Sequence, residues 1–197
     1  MCGQIIPGLE IDGRPAPYPV VNERAVRATA GLLLLTAAVA FSQAYFLGNF
    51  LLLKTITPIL FVDFVIRVLT GLTPLSPFGV VGTLLVRNQT PEWVGATQKK
   101  FAWSIGSVMA LLMTFVTNLN ITGALPLTVC LSCIGLMWME AALGVCVGCQ
   151  IFRWLVHKAL LRPPDYVPAC PGGVCDRPGA RVIGRDAGAF PNRAFPK

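Results

Sequence analysis

The chain has 197 residues, of which 54% are hydrophobic and 13% are charged, about half the charged fraction of a soluble domain. Sixteen Lys and Arg against nine Asp and Glu give a formal net charge of +7. Between Ala28 and Val156, however, the only charged residues are Lys54, Asp63, Arg67, Arg87, Glu92, Lys99, Lys100, Glu140 and Arg153, which argues against a nucleic-acid-binding face and for membrane spans flanked by basic loops. No cleavable signal peptide is expected, because Glu10, Asp12 and Glu23 precede the first apolar run without a basic n-region or an A-x-A-like site.

Residues 1–21 read as an irregular tail, since Pro7, Gly8, Gly13, Pro15, Pro17 and Pro19 oppose a regular helix. A membrane domain over 22–158 follows. Asn22 suits an N-cap and Glu23 suits the first turn of a helix, so a first span is expected at about 25–46. Leu47-Gly48-Asn49 makes a short turn, and a second span runs at about 50–69, kinked or opened at Pro58. Ser76-Pro77 is a helix-start signal. Val80, Val81, Leu84 and Leu85 then share one face of a short helix lying in the membrane interface. Thr90-Pro91-Glu92-Trp93 repeats the start signal, with Trp93 suited to headgroup level. The third span is expected at about 101–117. A tight uncharged turn over 118–123 leads to a fourth span at about 125–150.

Positive charge sets the orientation. Arg14, Arg24 and Arg27 precede span one; Arg87, Lys99 and Lys100 follow span two; Arg153, Lys158 and Arg162 follow span four. The two other loops are short and nearly uncharged, and Lys54 can snorkel outward. The expected fold is therefore all-α, a four-helix integral membrane bundle with both termini cytoplasmic. Residues 159–197 are rich in Pro, Gly and charge and read as a disordered cytoplasmic tail.

Cysteine dominates the last span. Leu125–His157 carries Cys130-x-x-Cys133 and Cys146-x-x-Cys149. As one helix it would run about 50 Å at about 1.5 Å per residue, against about 30 Å of hydrocarbon, so it either projects from the membrane or breaks near Gly144 and Gly148. Cys146 and Cys149 are candidates for redox or sulfur chemistry, and with His157 for a soft metal. On a continuous helix they lie toward the C-terminus, where the dipole opposes a thiolate, although Arg153, His157 and Lys158 offset that. The competing reading is that Gly144-x-x-x-Gly148 serves close helix packing. Cys130 and Cys133 read as buried apolar cysteines. One zinc cannot join the two pairs, which lie about 24 Å apart on a continuous helix. Cys170 and Cys175, in the tail, read either as a partner pair for Cys146 and Cys149 or as reduced thiols of an unstructured cytosolic segment.

Asp63 and Arg67 are spaced i,i+4 and expected to pair. With Glu140 they are expected to form an intramembrane charge cluster between spans two and four, either a functional site or a structural clamp. With one histidine, no nucleophile motif and no Walker-type phosphate loop, the chain shows no soluble-enzyme constellation.

Several stretches together resemble one bacterial family of four-span proteins, the domain of unknown function 4395: VNERAVRATAG before span one, VDFVIRVLTGLTPLSPFGVVGTLLVR, KKFAWSIG, and LGVCVGCQIF with its Cys–x–Gly–Cys signature. The likeness runs from about Val20 to Trp154. Gln150 stands where that family commonly has an acid, and Leu143 where it commonly has an aromatic residue. The resemblance implies a fold, a bacterial inner-membrane location and a candidate thiol site, without an assigned activity. The expectation is thiol-based redox, sulfur or soft-metal handling at the cytoplasmic face, with a thioredoxin-like protein or another membrane subunit as partner and no nucleic acid. The alternatives are a non-catalytic accessory subunit and, more remotely, a small transporter using Asp63, Arg67 and Glu140.

Overall fold

The computed structural model describes residues 3–161 apart from 12, 13, 17 and 73. The tail pair Cys170 and Cys175, like the rest of 162–197, lies outside the described residues. The fold is all-α in its main body, with six helices: α1 (Glu23–Leu47), α2 (Leu51–Thr70), α3 (Pro77–Leu85), α4 (Ala96–Asn118), α5 (Ala124–Leu143) and α6 (Val147–His157). Three of them, α1, α4 and α5, are long and apolar enough to cross a membrane. At 20 residues α2 also has the length, but it carries Lys54, Asp63 and Arg67.

The capping residues act as their types require. Asn22 Oδ1 accepts from the Arg24 N–H at 3.1 Å and opens α1. Gly48 closes it in the left-handed region at φ 61°, where glycine pays no Cβ penalty. Ser76 Oγ accepts from the Gly79 N–H at 3.0 Å, and Pro77 begins α3.

The N-terminal segment departs from the irregular tail expected over 1–21. Glu10–Ile11 (β1) pairs antiparallel with Arg14–Pro15 (β2), and Val20–Asn22 (β3) pairs antiparallel with Trp93–Gly95 (β4). Ala16, Tyr18, Val20 and Val21 are buried, which is the apolar reward that offsets the proline-rich composition. The same pairing moves the start of α4. Thr90-Pro91 does not open it; residues 93–95 are used as a strand, Gly95 is the N-cap, and Lys99 and Lys100 fall within the helix rather than in the loop before it.

Helix α2 packs along α4, and α1 along α5 and α3, while α6 lies against α4. Arg27 of α1 reaches the C-terminal end of α5, donating to the carbonyl oxygens of Ala141 and Ala142 at 3.2 Å each. These are helix-end acceptors that have no intrahelical donor. At the other end of the bundle, Lys54 Nζ of α2 donates to Asn120 Oδ1, in the α4–α5 turn, at 3.2 Å. The starts of α1 and α4 and the end of α5 therefore share one end of the bundle, and the start of α2 with the α4–α5 turn the other.

Candidate functional site

The apolar stretch after Pro126 is two helices. At Gly144 the backbone enters the left-handed region, φ 68°, and the Gly144 N–H closes α5 on the carbonyl of Met139. Cys146 takes an extended conformation and becomes the N-cap of α6. Its sulfur accepts from the backbone N–H of Cys149, at 3.4 Å. Neither cysteine is disulfide-bonded, and both are buried. The dipole argument for a continuous helix is therefore reversed: the pair sits at a helix N-terminus, where unpaired N–H groups and the positive dipole end favour negative charge on sulfur. The sequence signal for the break was Gly144 two residues before the first cysteine, a glycine C-cap followed by a new cap.

The two thiols also hydrogen-bond to each other. That bond first, and burial second, push the Cys149 thiol well above the ordinary thiol range, whereas the nearby Lys99 charge pulls it down. Cys149 is thus the sulfur that holds its proton more tightly than a free thiol, while the Cys146 sulfur is the one placed at the helix cap.

Gly148 explains itself sterically. A Cβ there would stand 2.6 Å from Ala102 Cβ and 2.8 Å from Ala102 Cα on α4, inside any real carbon–carbon contact. Phe152, one turn on, packs on Phe101 with ring centroids 5.4 Å apart. The glycine between the cysteines is what lets α6 lie on α4 and brings the pair close to the first turns of that helix.

Lys99 is the residue that sequence reasoning missed. It is fully buried, and its Nζ stands 2.9 Å from Oε1 and 2.8 Å from Oε2 of Glu23 and 3.0 Å from Oε1 of Glu140. The contact to Glu23 Oε2 is an ion pair without hydrogen-bond alignment. Lys99 also lies within electrostatic reach of Cys146 and Cys149. One ammonium thus ties the first turn of α1, the first turn of α4 and the last turn of α5 together beside the dithiol. In sequence the lysine looked like a loop charge, because nothing local shows that two acids from other helices surround it.

The predicted charge cluster divides accordingly. Arg67 is paired with Asp63 as the spacing required, both buried. Asp63 Oδ1 also accepts from Ser76 Oγ at 2.7 Å and from the Phe78 N–H at 3.3 Å, and Arg67 Nε donates to Ser76 Oγ at 3.2 Å. This is a clamp between α2 and the start of α3, not between α2 and α5. Glu140 is bonded to Lys99 instead. Arg67 and Glu140 nonetheless line one cavity, which Cys146 also borders.

Of the metal set, His157 sits at the last position of α6, eight residues beyond Cys149 and so about 12 Å along the helix. Among the described residues no three His, Cys, Asp or Glu side chains converge to hold a metal. Cys130 and Cys133 stand two turns and more before Glu140 on α5 and face the same cavity, with Cys130 packed among Ala40, Leu53 and Met113.

No curated protein and no solved structure matches the chain. The family model described as Domain of unknown function (DUF4395) matches residues 21–157, a stretch that contains the six helices of the described residues, the dithiol cap and the Lys99 ion pairs, and the chain belongs to that family.

Proposed function

We propose that this DUF4395 protein is a membrane thiol protein whose Cys146/Cys149 pair cycles between dithiol and disulfide, carrying reducing equivalents, with transfer of sulfur as the related chemistry of the same thiolate. The observation that carries the reading is the position of Cys146 as the cap of α6, its sulfur bonded to the Cys149 N–H. In the oxidation half-cycle both S–H bonds are lost, one S–S bond forms, and two electrons and two protons leave to the acceptor. The pair lies i,i+3 with its first member outside the helix, so the sulfurs approach with little backbone movement. A soft-metal role finds no third ligand among the described residues and is set aside in favour of the redox reading.

The same proposal places the protein in a bacterial inner membrane with four spans. Support comes from parity: β3 and β4 are paired and lead directly into α1 and α4, so both helices begin at one face. If α1 crosses, α2 returns. The Arg27 contacts to the end of α5 are what a fourth crossing that returns to the starting face would give. The basic residues gathered at that face make it cytoplasmic, with Cys170 and Cys175 as a second pair and a thioredoxin-like protein as the soluble partner. The test is a count of reactive thiols on the full chain in membranes after matched reduction and mild oxidation. Wild type should lose two thiols reversibly, and Cys146→Ser should lose neither of that pair. Thiols that stay inert in wild type would leave the accessory-subunit reading in its place.

A further inference from the structure

Beside the dithiol lies a cavity of about 160 Å³ lined by α1, α2, α4, α5 and the start of α6. Its walls are apolar, including Leu33, Trp103 and Met113, and its polar lining consists largely of Arg67, Glu140 and the sulfur-bearing residues Cys130, Cys133 and Cys146. An apolar cavity of roughly 150 Å³ holds a benzene ring. The space therefore fits one six-membered ring.

We propose that the cavity binds the head group of a lipid-soluble quinone, and that the Cys146/Cys149 dithiol passes its two electrons to it. This deepens the redox reading above and rests on it. The chemistry selects the class. A ring-sized ligand in an apolar space, flanked by a cation and a carboxylate and bordered by Cys146 of the dithiol, matches an apolar two-electron acceptor with polar oxygens at its edge. A quinone has a flat ring and two carbonyl oxygens, one for the guanidinium of Arg67 to donate to. Glu140 is held by Lys99 through one oxygen and keeps 16% of its side chain exposed, and it faces the cavity as the proton-handling group. The step balances: two thiols become one disulfide, and the two electrons and two protons convert both carbonyls of the quinone to the hydroxyls of the quinol. The Asp63 and Lys99 ion pairs hold Arg67 and Glu140 where they line the cavity, without Asp63 or Lys99 lining it themselves.

The experiment uses the reduced full chain in lipid nanodiscs with a decyl-tailed benzoquinone. Quinol formation is read by absorbance, loss of thiols by titration, and occupancy by quenching of Trp103 fluorescence, with a Trp103→Phe control to assign the signal. Wild type should form one quinol per two thiols lost. Ala37→Phe, which fills the cavity, and Ile151→Trp, which obstructs it from the exposed side of α6, should each slow quinol formation at least tenfold while leaving oxidation by a soluble disulfide unchanged. The second variant guards against misfolding of the first. Equal quinone rates in wild type and both variants would overturn the cavity proposal. So would a pair that a soluble disulfide oxidises but the quinone does not, and there the thiol reading survives. A pair that neither oxidant touches overturns both.

Discussion

Gly148→Ala is the sharpest single perturbation of the dithiol. The added methyl would meet Ala102 Cβ at 2.6 Å and Ala102 Cα at 2.8 Å, where carbon atoms normally settle at about 3.5–4.0 Å. One of the two atoms is backbone, so no side-chain rotation relieves the overlap and α6 must retreat from α4 by about 1 Å. Overpacking of this kind costs about 1–3 kcal/mol, and at about 2–4 °C per kcal/mol for a chain of this size the melting temperature should fall by roughly 2–12 °C. Gly148 lies between the Cys146 cap and the Cys149 N–H that bonds its sulfur, so distortion of that first turn also disturbs the cap contact. The assay is the rate of disulfide formation in the full chain with a soluble disulfide, measured beside thermal unfolding. Both should be impaired in Gly148→Ala, and both should recover in Gly148→Ala/Ala102→Gly, which returns the missing space. A Gly148→Ala protein with wild-type stability and rate would refute the steric argument, and so would a double variant no better than the single one.

Other consequences can be checked on the same preparation. Lys99→Met leaves Glu23 and Glu140 buried without their cation, a loss of about 3–5 kcal/mol for a broken buried pair, and Lys99→Met/Glu23→Gln/Glu140→Gln should recover most of it in a melt. Arg27→Ala removes a charged donor from the end of α5, worth about 1.5–3 kcal/mol, and should raise hydrogen exchange around Gly144 before it changes the rest of the chain. Asp63→Asn, which leaves Arg67 without its carboxylate, should loosen the start of α3 and open the 71–77 segment to limited proteolysis. Because burial and the Cys146 bond raise the Cys149 thiol, alkylation near pH 8 should stop at one adduct per pair. The sign for stability follows from the same shift. The folded state holds that proton more tightly than the unfolded chain does, so its contribution is intact below about pH 8.5 and declines as pH rises beyond it. A pair alkylated twice at equal rates near pH 8 would contradict the asymmetry.

Local chemistry made several parts of the fold legible in sequence. Asn22 and Ser76-Pro77 cap the helices they were expected to cap, because a capping bond needs only residues two or three apart. Asp63 and Arg67 paired for the same reason. The parts that were not legible all depend on distant segments. Trp93–Gly95 became a strand because Val20–Asn22 supplied the other edge, which set the start of α4 at Ala96, ahead of the expected span, and placed Lys99 in its first turn. Glu140 left the expected cluster because Lys99 offered a closer cation, already committed to Glu23. The break before Cys146 lay between: Gly144 allowed it, but Ala102 beneath Gly148 and the Arg27 guanidinium on the carbonyls of α5 are what fix the new helix in place.

The β3–β4 pairing bears on how the chain is made. Val20 is joined to Gly95, about 75 residues later, and at about 5–20 residues per second the strand waits roughly 4–15 s for its partner to be synthesised. Through that interval α1 and α2 have emerged, while Glu23 has no ammonium to face and β3, bridged at Val20 to Gln4 alone, lacks its strand partner. The arrival of a single short stretch, Trp93 through Lys99, supplies both the missing strand and the missing cation. Biogenesis of this protein thus has a late latch, and substitutions in those seven residues should lower the yield of correctly inserted chain more than equal losses of stability elsewhere.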